Sequence, residues 1–234
     1  MSEYQGNFVW YELMTSDAPA AKKFYSDVVG WTAADNNMAG FTYTVLSAGD
    51  AMIAGLMEMP EEPAKAGALP FWIGYIWADD VDAMAEKVKQ AGGSVHREPA
   101  DIPGIGRFAV VADPHGAVFC LFHGERGGDG NSGPSASPMT PGHTGWRELM
   151  AGDLDGAFAF YSGLFGWEKA DAVDIGAMGV YQLFAKDGET IGGMMTTPDF
   201  IPQPHWCHYF TVKDIHPETA RINSAGDPRT HCPT

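Results

Sequence analysis

The chain has 234 residues, 45% of them hydrophobic, which is enough for the buried core of one large or two small domains. Its formal charge of −16 would repel nucleic acids and anionic membranes, so we expect neither as a partner and favour a small-molecule ligand. The N-terminus lacks the pattern of a signal peptide and no apolar run is long enough to span a membrane, which predicts a cytoplasmic protein.

An internal repeat relates the two halves of the sequence. Trp-Tyr-Glu-Leu-Met at 10–14 returns as Trp-Arg-Glu-Leu-Met at 146–150, and Asp, Phe-Tyr and Gly-Trp follow at the same spacing, an offset of 136 residues. Such copies are supersecondary units that bury their apolar faces against each other. We call them the first and the second repeat. Glu12 and Glu148 are charged residues at the same place in both repeats, so they are the first candidates for a site.

The first repeat is predicted to contain strands and helices in alternation. Bulky residues on both faces predict a covered first strand, and an apolar stripe between the Asp17 cap and Gly30 predicts a helix. Gly49-Asp50 is a hairpin turn signal. The predicted elements in chain order are a strand at 8–14, a helix from the Asp17 cap to Gly30, strands at 41–48, 51–58 and 71–77, a helix at 81–91, and strands at 107–112 and 117–122.

The second repeat follows a segment rich in Gly, Ser and Pro, which predicts a flexible linker at 127–141 between domains at 1–126 and 142–234. Counterparts of the strands at 107–112 and 117–122 are missing from the sequence. We therefore expect a second module that lacks its last strands, and the alternatives are a truncated chain, a frameshifted reading frame, or completion by a neighbouring chain in a homodimer through the uncovered sheet edge. The predicted elements are a strand, a helix between Asp153 and Gly166, strands at 180–186, 190–196 and 205–212, and a helix at 215–225.

Three motifs resemble a known family. They are the Phe-Tyr-x-x-x-x-Gly-Trp helix ending, the Ala-Asp-Asp-Val-Asp turn from strand to helix, and the Asp-Pro-His-Gly turn before an apolar strand. They resemble the vicinal oxygen chelate superfamily of glyoxalase I, bleomycin-resistance proteins and extradiol dioxygenases, in its two-module Cfp30B-like branch. The resemblance implies an α+β fold of tandem βαβββ modules, each curling its sheet around a concave face, with a site shared between modules.

The resemblance also implies four positions that hold one divalent cation in metal-using members. No position carries histidine or a carboxylate, the ligands that Zn²⁺, Ni²⁺ or Fe²⁺ need, so we predict no metal ligand at them and expect no cofactor. The alternative is a divalent metal held by Glu12, Glu148, His205 and Cys207. The residues at the four positions, with the second repeat's counterparts, are Trp10 and Trp146, Ala54 and Gly192, Ile73 and Cys207, and Cys120.

Two glutamates are the predicted catalytic residues. A desolvated Glu12 or Glu148 could act as general base, and the alternative is a buried carboxylate paired with backbone amides or with an arginine such as Arg147 or Arg107. His205 and His208 lie on opposite faces of one predicted strand, so we expect His208 to pack away from the cavity. The predicted ligand-binding residues, for which core packing is the alternative, are Trp10, Trp146, Tyr75, Tyr209, His205 and Cys207.

Three functions follow from this sequence as hypotheses. The first is an atypical enzyme of the lyase, isomerase or hydroxylase type that binds a small apolar, carbonyl-bearing molecule without the usual metal ligands. The second is a non-catalytic protein that sequesters its ligand, like the bleomycin-resistance proteins. The third is a metal-dependent glyoxalase or dioxygenase with unusual ligands. We see no phosphate-binding glycine loop and no hydrolase elbow.

Overall fold

A computed structural model describes residues 2–38, 40–65, 67–125, 137, 139–215 and 222. The predicted linker at 127–141 and the predicted helix at 215–225 lie largely outside the described residues, as does the tail on which the predicted truncation depends. In chain order the elements are β1 (Phe8–Thr15), α1 (Ala18–Val28), β2 (Thr32–Met38), β3 (Phe41–Ala48), β4 (Ala51–Glu58), α2 (Glu61–Lys65), β5 (Phe71–Trp77), α3 (Val81–Gln90), β6 (Ser94–Ile102), β7 (Gly106–Ala112), β8 (Val118–Gly124), β9 (Thr144–Ala151), α4 (Leu154–Phe165), β10 (Glu168–Asp174), β11 (Val180–Lys186), β12 (Glu189–Thr196) and β13 (His205–Phe210).

The order strand, helix and three strands occurs three times, in β1 to β4 with α1, in β5 to β8 with α3, and in β9 to β12 with α4. This confirms the α+β fold of tandem βαβββ modules. The first strand after each helix, namely β2, β6 and β10, was absent from the elements predicted by periodicity. Polar and exposed residues fill β2 and β10, and β6 contains Pro99, so none shows the alternation of a half-buried strand.

The chain divides into two compact units that combine segments of both repeats. Unit A comprises Met1–Glu12, Trp72–Ser135 and Trp146–Tyr209, and unit B comprises Leu13–Phe71, Ala136–Gly145 and Phe210–Thr234. Neither unit is continuous in sequence, and the domain boundaries at 1–126 and 142–234 stay a prediction. No helix in the described part of the chain is long and apolar enough to cross a membrane.

Unit A contains two sheet segments. In one, the start of β1 is followed by β5, β8, β7 and β6, and in the other the order is β10, β11, β12, β9 and β13. Strands β5 and β8 are parallel, with Tyr75 opposite Cys120, and β12 and β9 are parallel, with Gly193 opposite Glu148. Between these strands and helices α3 and α4 lies an aromatic core, in which Trp167 stacks on Phe184 with ring centroids 4.6 Å apart.

Unit B contains the antiparallel strands β2, β3 and β4 followed by the end of β1. In this unit Trp31 Nε1 donates a hydrogen bond to the carbonyl of Gly142 at 2.7 Å. Unit A has the equivalent bond, from Trp167 Nε1 to the carbonyl of Gly6 at 2.9 Å. In each unit a tryptophan of one repeat therefore bonds to a glycine of the other repeat, which explains why neither unit follows the sequence boundaries.

Aspartates begin the three long helices, as the sequence predicted for two of them. Asp17, Asp80 and Asp153 each accept a hydrogen bond from a backbone N–H in the first turn of α1, α3 and α4. Helix α4 ends at Gly166 in the left-handed conformation, whereas α1 ends one residue before Gly30, with Val29 as its cap. These caps fix where each helix leaves its first strand, and so where β1 and β9 present their glutamates.

Candidate functional site

Glu12 and Tyr75 form a buried pair in unit A. Glu12 lies on β1 and is 5% exposed, and Tyr75 Oη on β5 donates a hydrogen bond to Glu12 Oε1 at 3.1 Å. Tyr75 lies opposite Cys120, which is fully buried. Burial and then the charge of Glu12 raise the pKa of the Cys120 thiol well above its usual value, although the Tyr75 hydroxyl lowers it. Cys120 is therefore a protonated core residue.

Glu148 accepts hydrogen bonds from two tyrosine hydroxyls in the same unit. Tyr209 Oη donates to Glu148 Oε1 at 2.9 Å, and Tyr181 Oη donates to Glu148 Oε2 at 2.7 Å. Trp146 Nε1 in turn donates to Tyr181 Oη at 2.7 Å. Burial raises the pKa of Tyr181 above its usual value, the Trp146 bond lowers it, and the bond to Glu148 raises it. The proton therefore stays on the Tyr181 hydroxyl, which donates to Glu148 in a chain of hydrogen bonds from indole to hydroxyl to carboxylate.

The two glutamate–tyrosine pairs occupy equivalent positions of the two repeats, with Glu12 matching Glu148 and Tyr75 matching Tyr209. The structure therefore brings together four of the predicted site residues as two pairs. It adds Tyr181, which sequence reasoning missed. The repeat itself could have indicated Tyr181, because Tyr43 occupies the matching place in the hairpin of the first repeat. Tyr43 lies opposite Met57, and Gln182, the neighbour of Tyr181, lies opposite Met194.

The arginines named as alternative partners of the glutamates are engaged elsewhere. Arg107 forms ion pairs with Asp82 and Asp101, and Arg147 Nε donates to Tyr11 Oη at 2.6 Å. The structure therefore does not pair either glutamate with Arg147 or Arg107, the two arginines named in the alternative. Tyrosine hydroxyls take that place because they satisfy a carboxylate without a second buried charge.

The other predicted ligand-binding residues lie on β1, β9 and β13. Trp10 and Trp146 are half-buried, and so are His205 and Cys207. His205 Nδ1 lies 2.9 Å from the carbonyl of Gln203. Since alternate residues of a strand share a face, His205, Cys207 and Tyr209 face the same side of β13.

His208 lies on the other face of β13, as the alternation predicted. Its ring is 4.9 Å from that of Tyr11 and 6.1 Å from that of Phe8, centroid to centroid. Both ring nitrogens are shielded from solvent, and no described residue forms a hydrogen bond to either. Burial, and then the positive charge of Arg147, lowers the pKa of His208 from its ordinary 6.5 to about 3, so the imidazole is neutral.

The four positions that the resemblance assigns to a divalent cation do not fit one. Tryptophan, alanine, glycine and isoleucine have no ligand atom for such an ion, and the two remaining side chains, Cys120 and Cys207, are fewer than the three or four ligands that it needs. Within the described residues, moreover, no three side chains of His, Cys, Asp or Glu come together as a cation site. Glu12, Glu148, His205 and Cys207 therefore do not come together as the alternative metal site.

Two surface clefts lie away from Glu12 and Glu148. One cleft in unit A runs between α3 and α4 beside Gln90 and Gly163, and another in unit B lies beside Ser16 and Met59. The residues that line these two clefts include none of the predicted site residues. The candidate site is consequently defined by its polar side chains and not by the shape of a cleft.

Comparison with known proteins places these features in a family. A family model described as Glyoxalase/Bleomycin resistance protein/Dioxygenase superfamily matches residues 7–121. The candidate glyoxylase CFP32 of Mycobacterium tuberculosis is 47% identical over 228 residues, which cover 96% of this chain and 85% of the relative. The anthracycline biosynthesis protein DauV of Streptomyces sp. strain C5 is 30% identical over 232 residues, which cover 93% of this chain and 81% of the relative.

Solved structures share the fold. A variant of 4-hydroxymandelate synthase from Streptomyces coelicolor has a TM-score of 0.65 at 16% identity, covering 95% of this chain and 75% of that one. The Mn(II)-bound glyoxalase from Novosphingobium aromaticivorans has a TM-score of 0.60 at 19% identity, covering 95% and 71%. At these identities both structures support the fold alone, whereas the two sequence relatives extend over most of the chain. The chain belongs to the glyoxalase/bleomycin resistance/dioxygenase superfamily.

Proposed function

We propose that the protein binds a small, mostly apolar, carbonyl-bearing molecule and removes a proton from a carbon that is next to the carbonyl or conjugated with it. The observation that carries this proposal is the buried carboxylate bonded to a tyrosine hydroxyl at equivalent positions of both repeats. A carboxylate is a general base, and a neutral tyrosine is a hydrogen-bond donor for an oxyanion. Each pair thus contains the two groups that enolisation needs.

The reaction balances without an oxidant or a second substrate. A glutamate Oε takes the C–H proton, the electron pair of that bond moves into the carbonyl group, and the enolate oxygen accepts a hydrogen bond from the tyrosine. Return of the proton to the same carbon gives exchange, and its return to another carbon of the enolate gives isomerisation. Both glutamates are buried, so the electrostatic interactions of each carboxylate are stronger than they would be in bulk water.

The name of one relative suggests a chemical class for the ligand. DauV is named for anthracycline biosynthesis, and anthracyclines are planar, polycyclic aromatic compounds with several carbonyl groups. A ligand of that class would match the aromatic residues beside Glu148, which are Trp146, Tyr181 and Tyr209. We therefore extend the binding part of the proposal to planar aromatic ketones and quinones, and the proton transfer only to those ketones that carry an acidic C–H group conjugated with the carbonyl.

Sequestration without turnover is the second candidate function. It is favoured by the hydrogen bonds to Glu148, because tyrosine hydroxyls already donate to both of its oxygens. A proton from a ligand must compete with these tyrosine hydroxyls for the oxygens of Glu148. If both hydrogen bonds persist when the ligand is bound, the site binds the ligand and leaves it unchanged.

Anthrone tests the proposal, because it is planar and carries both a carbonyl group and an exchangeable methylene group. Under argon in D₂O, we expect the protein to bind anthrone and to accelerate deuterium uptake at the methylene, as measured by mass spectrometry. The double variant Glu12→Gln/Glu148→Gln should reduce the protein-dependent rate by roughly 100-fold or more, and the exposed Glu189→Gln is the matched control. Binding with no exchange would support sequestration, and absence of binding would overturn both candidates.

A further inference from the structure

The two glutamate–tyrosine pairs differ in how far a ligand can reach them. We infer that the second-repeat pair, Glu148 with Tyr209, is the ligand site, that the ring of Tyr209 is a stacking platform for a planar aromatic ligand, and that the pair of Glu12 with Tyr75 is structural. This inference rests on the proposed function and assigns its two equivalent carboxylates to different roles.

The first-repeat pair is closed by the core. Tyr75 is 6% exposed, and Glu12 and Cys120 beside it are 5% and 0% exposed. The ring of Phe122 meets the ring of Tyr75 edge to face, with centroids 6.0 Å apart. A ligand could reach Glu12 only by displacing these close-packed groups, which costs both their contacts and the integrity of the β5–β8 pairing. The Glu12–Tyr75 bond is then a satisfied buried polar pair.

The second-repeat pair is open on its tyrosine side. Tyr209 is 39% exposed, although its hydroxyl is bonded to the buried Glu148. The side chain therefore has a hydroxyl held by Glu148 and is partly exposed to solvent. Cys207 and His205, on the same side of β13, are half-buried and border that ring along the strand. An aromatic face held in place by its hydroxyl loses little side-chain entropy when a flat ligand stacks on it.

Tyr181 acts as a positioning residue at this site. It holds Glu148 Oε2 and is itself held by Trp146, so the carboxylate has a fixed orientation. A polar group of a stacked ligand therefore competes with Tyr209 for Glu148 Oε1, the oxygen nearer the exposed ring. Tyr181→Phe should release Oε2 and alter the pH profile of exchange more than it alters ligand affinity. A merely structural role would lower the melting temperature and leave that profile unchanged.

A planar probe without an exchangeable C–H group, dihydroxyanthraquinone, separates the two pairs. We expect Tyr209→Leu to weaken its binding by roughly 3- to 10-fold, the range of one aromatic stacking contact, and Glu148→Gln to weaken it more than Glu12→Gln does. The exposed Glu189→Gln is the control that should bind as the wild type does. Bound probe should also protect Cys207 from iodoacetamide, as read by peptide mapping. This protection requires no variant, so it remains informative if a substituted chain fails to fold.

The outcomes distinguish this inference from the proposed function. If wild-type protein does not bind the probe, the proposed function and the inference both fall. If it binds, but Glu12→Gln weakens binding as much as Glu148→Gln, or Cys207 stays equally reactive, the inference alone is overturned. Binding that depends on Tyr209 and protects Cys207 supports the assignment to the second repeat.

Discussion

Arg147 and Tyr11 occupy the same position in the two repeats and bond to each other, with Arg147 Nε 2.6 Å from Tyr11 Oη. The guanidinium also lies over the rings of Phe8 and Tyr11, at 5.6 and 5.7 Å from their centroids. Contact between equivalent positions is expected where two copies meet about a local two-fold axis. Gly74 and His208 are a second such pair, because a Cβ on Gly74 would lie 2.9 Å from His208 Cε1. In both pairs, residues at equivalent positions of the two repeats lie close together but differ in type. The first repeat has tyrosine and glycine at these positions, and the second repeat has arginine and histidine.

The bond between Arg147 and Tyr11 should be measurable in the free energy of unfolding. We expect Tyr11→Phe to lower it by about 1.5–3 kcal/mol, the range for a hydrogen bond to a charged group. A double-mutant cycle with Arg147→Met, followed by urea unfolding, isolates the coupling. Lys23→Met is the control, because its ion pair with Asp27 is exposed and should contribute little. Independent, additive effects of the two substitutions would contradict a bond of this strength.

His208 should make the protein less stable in acid. Its pKa is about 3 in the folded protein and 6.5 when unfolded, so the unfolded chain binds the proton more readily. This contribution to stability is complete above pH 6.5 and is lost as the pH falls from 6.5 towards 3, by about 1.4 kcal/mol per pH unit. Urea unfolding at several pH values should show that slope. His208→Leu should remove this component, whereas His115→Gln, at an exposed turn, should leave it unchanged.

Gly6 should tolerate a side chain much less well than Gly30. Both have a positive φ, +83° and +81°, so alanine at either costs about 1–2 kcal/mol in backbone strain. A Cβ at Gly6 would also lie 2.7 Å from the carbonyl oxygen of Phe165, whereas nothing lies within 4 Å of one at Gly30. We expect Gly6→Ala to reduce the free energy of unfolding by a further 1–3 kcal/mol, roughly the cost of overpacking. Equal melting temperatures for the two variants would contradict the close approach at Gly6.

The sequence predicted the strands with strong patterns and missed those that lack one. Strands β3 and β4 have the predicted bounds because hydrophobic residues flank a Gly-Asp turn. Strand β10 carries mostly exposed polar residues, since it lies at a sheet edge, and local periodicity does not detect such a strand. Strand β10 is held by its antiparallel pairing with β11, and the local sequence does not show that pairing.

The candidate site was predictable in its members but not in its pairings. The repeat alone indicated Glu12, Glu148, Tyr75 and Tyr209. Which hydroxyl meets which carboxylate depends on how strands distant in sequence are brought together, and so does the unequal exposure of Tyr75 and Tyr209. The arginine alternative failed for the same reason, because Arg147 is one residue from Glu148 and therefore points to the opposite face of β9.

Purified protein should contain well under one divalent ion per chain. The physical reason is the residue set at the family's metal positions, where indole and aliphatic side chains replace imidazole and carboxylate. Elemental analysis of protein prepared without chelator measures this directly. A stoichiometric ion that EDTA removes together with anthrone exchange would show that ligands outside the described residues complete a site, and would overturn the base mechanism proposed for the glutamates.

The two cysteines of unit A should differ in reactivity. Cys120 is fully buried, and burial and the charge of Glu12 raise its thiol pKa, so the nucleophilic thiolate is scarce even in mild alkali. Cys207 is half-buried on the exposed side of β13. With iodoacetamide at pH 8, peptide mapping should show Cys207 modified in the folded protein and Cys120 modified only in urea. Glu12→Gln should leave Cys120 unmodified in the folded state, because burial is the larger cause. Comparable labelling of both cysteines without urea would show that the core around Tyr75 opens, and the closed character of the first-repeat pair would then be wrong.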